Sequence, residues 1–128
     1  MKRKHPPNRV IEMPAGLYII GDPCYSLSHD DCDAFYDAGG DVIQHSFGDH
    51  VACAFRTAFG DGGYDDNKGR KYGVDSGTIG LVPLALLKID RPGAQWTHPV
   101  RFTKPTRCSR SATGTLRFGS ITIRTGDL

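Results

Sequence analysis

Only one stretch of this chain, near residues 29–38, carries apolar residues at helical spacing. Nearly everywhere else apolar and polar residues alternate in short runs cut by glycine or proline. That contrast restricts the fold more than any other feature. Cys32, Phe35 and Tyr36 stand at i, i+3 and i+4 and make one apolar stripe. Ser28 offers an N-cap, and Asp30, Asp31 and Asp33 fill the first turn, where the helix dipole favours negative charge. Gly39-Gly40 supplies the stop.

The alternating runs predict strands. Residues 16–21 form one, ended by Asp22-Pro23. Residues 41–47 and 50–58 alternate on either side of Gly48-Asp49 and predict a hairpin. "FGDGGYDDNKG" (59–69) predicts a loop, and "KYGVDSGTIGLVP" (71–83) two strands about a turn at Ser76-Gly77. "PLALL" suits one helical turn; "THPVRFT" and "TLRFGSITIRT" suit late strands, the second stretch hinged at Gly119. With 128 residues, 16 Gly and 8 Pro, there is room for one core and many turns. The expected fold is α+β: a mostly antiparallel, strongly curved sheet or small barrel with one helix near residues 29–38. Residues 10–128 are expected as a single globular domain. Residues 1–9 are expected as a flexible basic arm, because Pro6-Pro7 blocks regular pairing.

No apolar run approaches the roughly 20 residues that a membrane helix needs. The basic start "MKRKHPPNRV" is not followed by an apolar stretch of signal-peptide length, which predicts a cytoplasmic protein without a membrane partner. Cys24, Cys32, Cys53 and Cys108 form no Cys-x-x-Cys pair, so buried free thiols are expected rather than a disulfide or zinc site. Charge is divided along the chain. Residues 1–20 hold four Lys/Arg against one Glu, residues 21–90 five against twelve acidic residues, and residues 91–128 seven against Asp127. Either the basic ends fold onto the acidic middle, or they form a face for a polyanion or an acidic partner.

Three motifs invite chemistry. In "GLYIIGDPCYSL" (16–27) a cysteine lies between a strand and a helix, where a helix N-terminus can lower a thiol pKa. Cys24 is thus a nucleophile candidate, although it lies before the cap and Asp22 would oppose thiolate formation. The alternative is a strand end whose Cys24 and Tyr25 pack inward. In "FGDGGYDDNKGRKYGVDSG" (59–77) the oxygen donors Asp61, Asp65, Asn67 and Asp75 stand among glycines, as a hard cation would want. Calcium is the ion this would suit. Asp65-x-Asn67-x-Gly69 follows a calcium loop only loosely: Gly69 replaces an acidic ligand, and Ser76 stands where the closing Glu would be. The alternative is a plain surface turn.

"VDSGT" (74–78) resembles the Asp-Thr/Ser-Gly-Thr/Ser signature of aspartic proteases, and the resemblance implies Asp75 as a catalytic acid. Residues 71–73, Lys-Tyr-Gly, depart from the apolar strand of that family, and the apolar-apolar-Gly element "IIG" (19–21) comes before the Asp rather than after it. The ordered set "GDPCY … FGDGGY … VDSGTIGLVP" resembles a family of small bacterial and bacteriophage proteins with an N-terminal GDPCY motif. That resemblance covers roughly residues 16–83. It implies a domain in which Asp22, Cys24, Tyr25, Asp61, Tyr64, Asp75 and Gly77 gather on one face, as a site or as structural turns.

The C-terminal third holds the basic series Arg101, Lys104, Arg107, Arg110, Arg117 and Arg124, with Trp96, Phe102 and Phe118 near it. Nucleic acid would use such charges and aromatic rings. Arg107 and Arg110 flank Cys108 in a Ser/Thr-rich stretch expected as an exposed loop. These patterns favour a small non-enzymatic cytoplasmic binding protein, and the resemblance to the GDPCY family implies a phage- or mobile-element-encoded modulator of a host protein. The expected partner is a protein, met through Asp22, Tyr25, Asp61, Tyr64, Arg107 and Arg110, with no cofactor. Two alternatives stand beside it: a hydrolase, aspartic-protease-like or metal-dependent, using Asp75 and Asp61 with Asp22 or Cys24, and a nucleic-acid-binding protein using the basic C-terminal third.

Overall fold

The computed structural model describes residues 9–37, 39–88 and 94–126. In chain order the first elements are β1 (Arg9–Met13), β2 (Gly16–Gly21), a 3-10 turn (Pro23–Tyr25), α1 (His29–Asp37), β3 (Val42–Phe47) and β4 (His50–Arg56). Then come β5 (Gly62–Asp65), β6 (Lys71–Val74), β7 (Thr78–Pro83) and two more 3-10 turns, Leu84–Leu86 and Ala94–Trp96. The chain closes with β8 (His98–Phe102), β9 (Thr106–Arg110), β10 (Thr115–Phe118) and β11 (Ile121–Arg124).

All strand pairs are antiparallel. One sheet runs β3-β4-β7-β2-β8, a second runs β1-β9-β10-β11, and β5 and β6 form a separate hairpin. The molecule is therefore α+β and β-rich, with one α-helix among the described residues. Neither larger sheet closes: β3 and β8 edge the first, β1 and β11 the second. In place of a small barrel, two open sheets bury their apolar faces on each other, which alternating strands allow without closure.

The shared core shows this directly. Tyr18, Ile20, Cys53, Phe55, Ile79 and Leu81 of the five-stranded sheet pack with Met13, Cys108, Leu116, Phe118, Ile121 and Ile123 of the four-stranded one. Tyr72 and Val74 of the hairpin complete that core. The five-stranded sheet is also covered on its other face. There Phe35 of α1 packs on Ile43, Ala52, Ala54 and Val82, with Cys32 and Tyr36 beside it. This explains "HVACAFR" in β4: Ala52 and Ala54 let the helix come close, while Cys53 and Phe55 fill the inter-sheet core. Gly80 of β7 is opposite Ala54, and a Cβ there would collide with the Cys53 carbonyl oxygen and the Ala54 Cα.

Ser28 caps α1 through its Oγ, which accepts from the Asp31 N–H at 3.2 Å. The expected hairpin is β3–β4, turning at Gly48 with φ 64°. Three strands, β1, β5 and β9, lie where none was expected. The 59–69 loop contains β5, and the stretch around Cys108 is β9, paired on both sides. Arg9, placed in the basic arm, begins β1; the rest of that arm lies outside the described residues. Among the described residues no helix is long and apolar enough to cross a membrane.

Candidate binding cleft

The GDPCY and VDSGT segments meet through one carboxylate. Asp22 ends β2 and is completely buried. Its Oδ1 accepts from the Cys24 N–H at 2.9 Å and the Ser76 hydroxyl at 2.7 Å. Its Oδ2 accepts from the N–H groups of Asp75 and Ser76 at 2.7 and 2.8 Å. Pro23 at the first position of the 3-10 turn has no N–H to lose, which is why Asp-Pro suits this turn. Tyr36 reaches the same place from α1: its hydroxyl donates to Ser76 Oγ at 2.9 Å and lies 2.8 Å from Thr78 Oγ1. Burial raises the Tyr36 phenol against the lowering effect of those two hydroxyls, so it stays a neutral donor.

This network holds up one wall of a cleft of about 730 Å³. The β5–β6 hairpin forms its floor, with Tyr64, Asp65 and Lys71 along it; Tyr25, Asp61, Asp75 and Trp96 stand around it. The Tyr25 hydroxyl donates to the Asp75 carboxylate, and burial together with that partner pushes the Tyr25 phenol up to about 12. Tyr64 donates to the Gly60 carbonyl at 2.9 Å, which holds the "FGDGGY" turn against the Thr57 hydroxyl. Lys71 Nζ lies 3.1 Å from Asp65 Oδ1, and both side chains are exposed. Trp96 lies over Gly73: a Cβ on Gly73 would be 3.0 Å from the indole Cγ. Glycine in β6 is what lets that ring approach the strand while 40% of the tryptophan remains exposed.

The three motifs thus converge, but at different depths. Tyr25, Asp61, Tyr64 and Asp75 line the cleft. Asp22 sits beneath it with every lone-pair direction engaged. Cys24 is half-buried behind Tyr25, with its Sγ 3.0 Å from Cys32 Sγ. Burial first, then Cys32 and Asp22, push the Cys24 thiol up to about 12.

The four candidate cation ligands are divided. Asp61, Asp65 and Asp75 face the cleft, whereas Asn67 is turned away: it donates to the Ser120 carbonyl at 3.0 Å and accepts from the Thr122 N–H at 2.9 Å. Among the described residues no three His, Cys, Asp or Glu side chains form a group that could hold a metal ion. The neighbouring Asp66, an oxygen donor of the same acidic loop, is a structural hub. It accepts from Lys68 and Arg70 N–H, from Arg70 Nε and from the Tyr72 hydroxyl at 2.6 Å. Burial alone would raise this carboxyl, but those hydrogen bonds outweigh it and hold Asp66 below the usual carboxylate range.

Arg107 and Arg110 do not share a face, because an offset of three in a strand reverses the side. Arg107 is exposed on the outer side of the four-stranded sheet, as are Arg117 and Arg124. Arg110 instead clasps the sheets, its Nε donating to the Arg56 carbonyl at 2.6 Å. Phe118 is buried and Phe102 packs on the core, so neither offers an exposed ring. Trp96, which in sequence neighbours the basic series, belongs to the acidic cleft. Trp96 and Lys71 are the cleft residues sequence reasoning missed. The only signal was one tryptophan in the chain and one glycine in a strand able to receive it.

Comparison with family models, with curated proteins and with solved structures found no match to this chain.

Proposed function

We propose that this chain is a small non-enzymatic binding protein whose cleft takes a lysine- or arginine-bearing segment of a protein partner. The lining carries this reading: Trp96, Tyr25 and Tyr64 stand with Asp61, Asp65 and Asp75 in one concavity. Ring faces attract cations by about 0.5–2 kcal/mol depending on desolvation, and carboxylates add charge complementarity. Lys71 is engaged with Asp65, so Asp61 and Asp75 leave the cleft acidic. Cys24 is kept protonated and the Asp22 oxygens are occupied, so neither supplies an activated nucleophile or base. The likeness of the three motifs to small bacterial and phage proteins supports a cytoplasmic modulator of a host protein as the setting.

Trp96 is the only tryptophan, so its fluorescence reports occupancy. Titration with a tetra-lysine peptide at low salt is expected to shift or quench that emission. Salt and the Asp61→Asn, Asp75→Asn double variant should each weaken the response at least about tenfold, since one lost charge-assisted contact is already on that scale. Unchanged emission at millimolar peptide overturns the reading. The hydrolase reading is second, favoured by Asp61 and Asp75 sharing the cleft. Peptide cleavage by the parent and its loss in Asp75→Asn would put it first.

A further inference from the structure

We propose that Cys24 and Cys32 form a reversible disulfide that fastens the Pro23–Tyr25 turn to α1 and thereby the wall of the cleft that carries Tyr25. The two sulfurs are 3.0 Å apart, only about 1 Å beyond bonding distance. Both backbones are already held. Asp22 fixes the turn through the Cys24 N–H, and Phe35 seats α1 on the sheet. The Cys32 N–H donates to the Ser28 carbonyl at 2.8 Å, within the first turn of the helix. Closure therefore requires a small approach of two side chains rather than a rearrangement of the chain.

Access separates this pair from the other two cysteines. Cys24 and Cys32 are each only half-buried. Cys53 and Cys108 lie fully buried on facing sheets, closed to reagents in the folded protein. Burial raises the Cys53 thiol well above its ordinary range and keeps it protonated.

With glutathione disulfide as the oxidant the step balances as follows. The Cys32 thiolate attacks one glutathione sulfur; the Cys32–glutathione bond forms as the oxidant's S–S bond breaks, and one glutathione thiolate leaves and takes up a proton. Cys24, which burial keeps protonated until then, gives its proton to water and attacks the Cys32 sulfur, displacing the second glutathione. Two protein thiols lose two protons and two electrons, and the oxidant becomes two glutathione thiols.

The test equilibrates the folded, reduced protein with glutathione at a series of redox ratios, quenches with acid, denatures and counts thiols by maleimide labelling and mass spectrometry. The expected result is loss of two thiols of four and one peptide cross-linked between residues 24 and 32. Cys24→Ser should stop at a single glutathione adduct on Cys32, with the fold checked by circular dichroism. In the oxidised parent the Ser26 and Leu27 amides, bonded to the Pro23 carbonyl, should exchange hydrogen at least tenfold more slowly. Four thiols retained at every ratio, or a glutathione adduct on Cys32 beside a reduced Cys24 thiol in the parent, overturns the disulfide. Unchanged amide exchange overturns the fastening. None of these readouts uses a cleft ligand; only an effect on ligand affinity would rest on the function proposed above.

Discussion

Asp22 and Asp66 are both buried carboxylates, and each accepts four hydrogen bonds. They organise the chain over very different spans. All donors to Asp66 lie between residues 68 and 72, so it shapes the turn that joins β5 to β6. Asp22 takes one donor from Cys24 and three from Asp75 and Ser76, so it binds the end of β2 to the turn before β7. The chemistry is the same; the difference is the chain each closes. A local acceptor orders a segment that already tends to turn. A distant acceptor must repay the entropy of joining two segments and leaves more orphaned when it is lost.

That difference makes the largest expected effect Asp22→Ala. Three backbone N–H groups and the Ser76 hydroxyl would lose their acceptor in a site without solvent. Unpartnered buried donors cost about 1–3 kcal/mol each, not additively, so a loss of about 4 kcal/mol or more is expected in urea denaturation. Asp66→Ala should cost less, about 2 kcal/mol, because the amide of exposed Lys68 can turn to water. Equal costs for the two substitutions would break the comparison.

The smallest effect concerns pH and sharpens the local half. The folded carboxyl of Asp66 is depressed, so the stability it contributes is present in full above the unfolded value, about 3.9. It is lost as pH falls through the lower, folded value. Asp66→Asn should therefore differ from the parent most at neutral pH and converge with it once pH has fallen through the depressed range of the folded carboxyl. A difference that stays constant from pH 7 to pH 2 would show that the hydrogen bonds to Asp66 do not depend on its charge.

Much of the architecture was legible because its signals are local. The Ser28 cap, the Cys32–Phe35–Tyr36 stripe and the Gly48 turn are each written within a few residues. β9 was not legible. In "TRCSR" only Cys108 supplies an apolar inward side chain, and polar Thr106 is buried beside it, so no alternation of hydrophobicity announced a strand. β5 was hidden for the same reason: "GGYD" is glycine-rich and pairs only with β6. The barrel expectation failed at a different level. Alternation says that each sheet has an apolar face, but not whether that face is buried by closure or by a second sheet.

The site divides along the same line. Composition and order alone determined that Asp22, Asp61 and Asp75 sit in glycine-punctuated turns, that Ser28 begins the one helix, and that the acidic charge lies in the middle of the chain. Tertiary structure decided their fates: Asp22 inside as a staple, Asp61 and Asp75 outside on one cleft, Trp96 over Gly73 with the acids rather than the arginines, and Cys24 against Cys32. The physical reason is that a side chain's role depends on which donors, rings and water surround it. Those neighbours come from other segments of the chain, eight residues apart for Cys24 and Cys32 and 54 for Asp22 and Ser76, brought together by packing that no local pattern records.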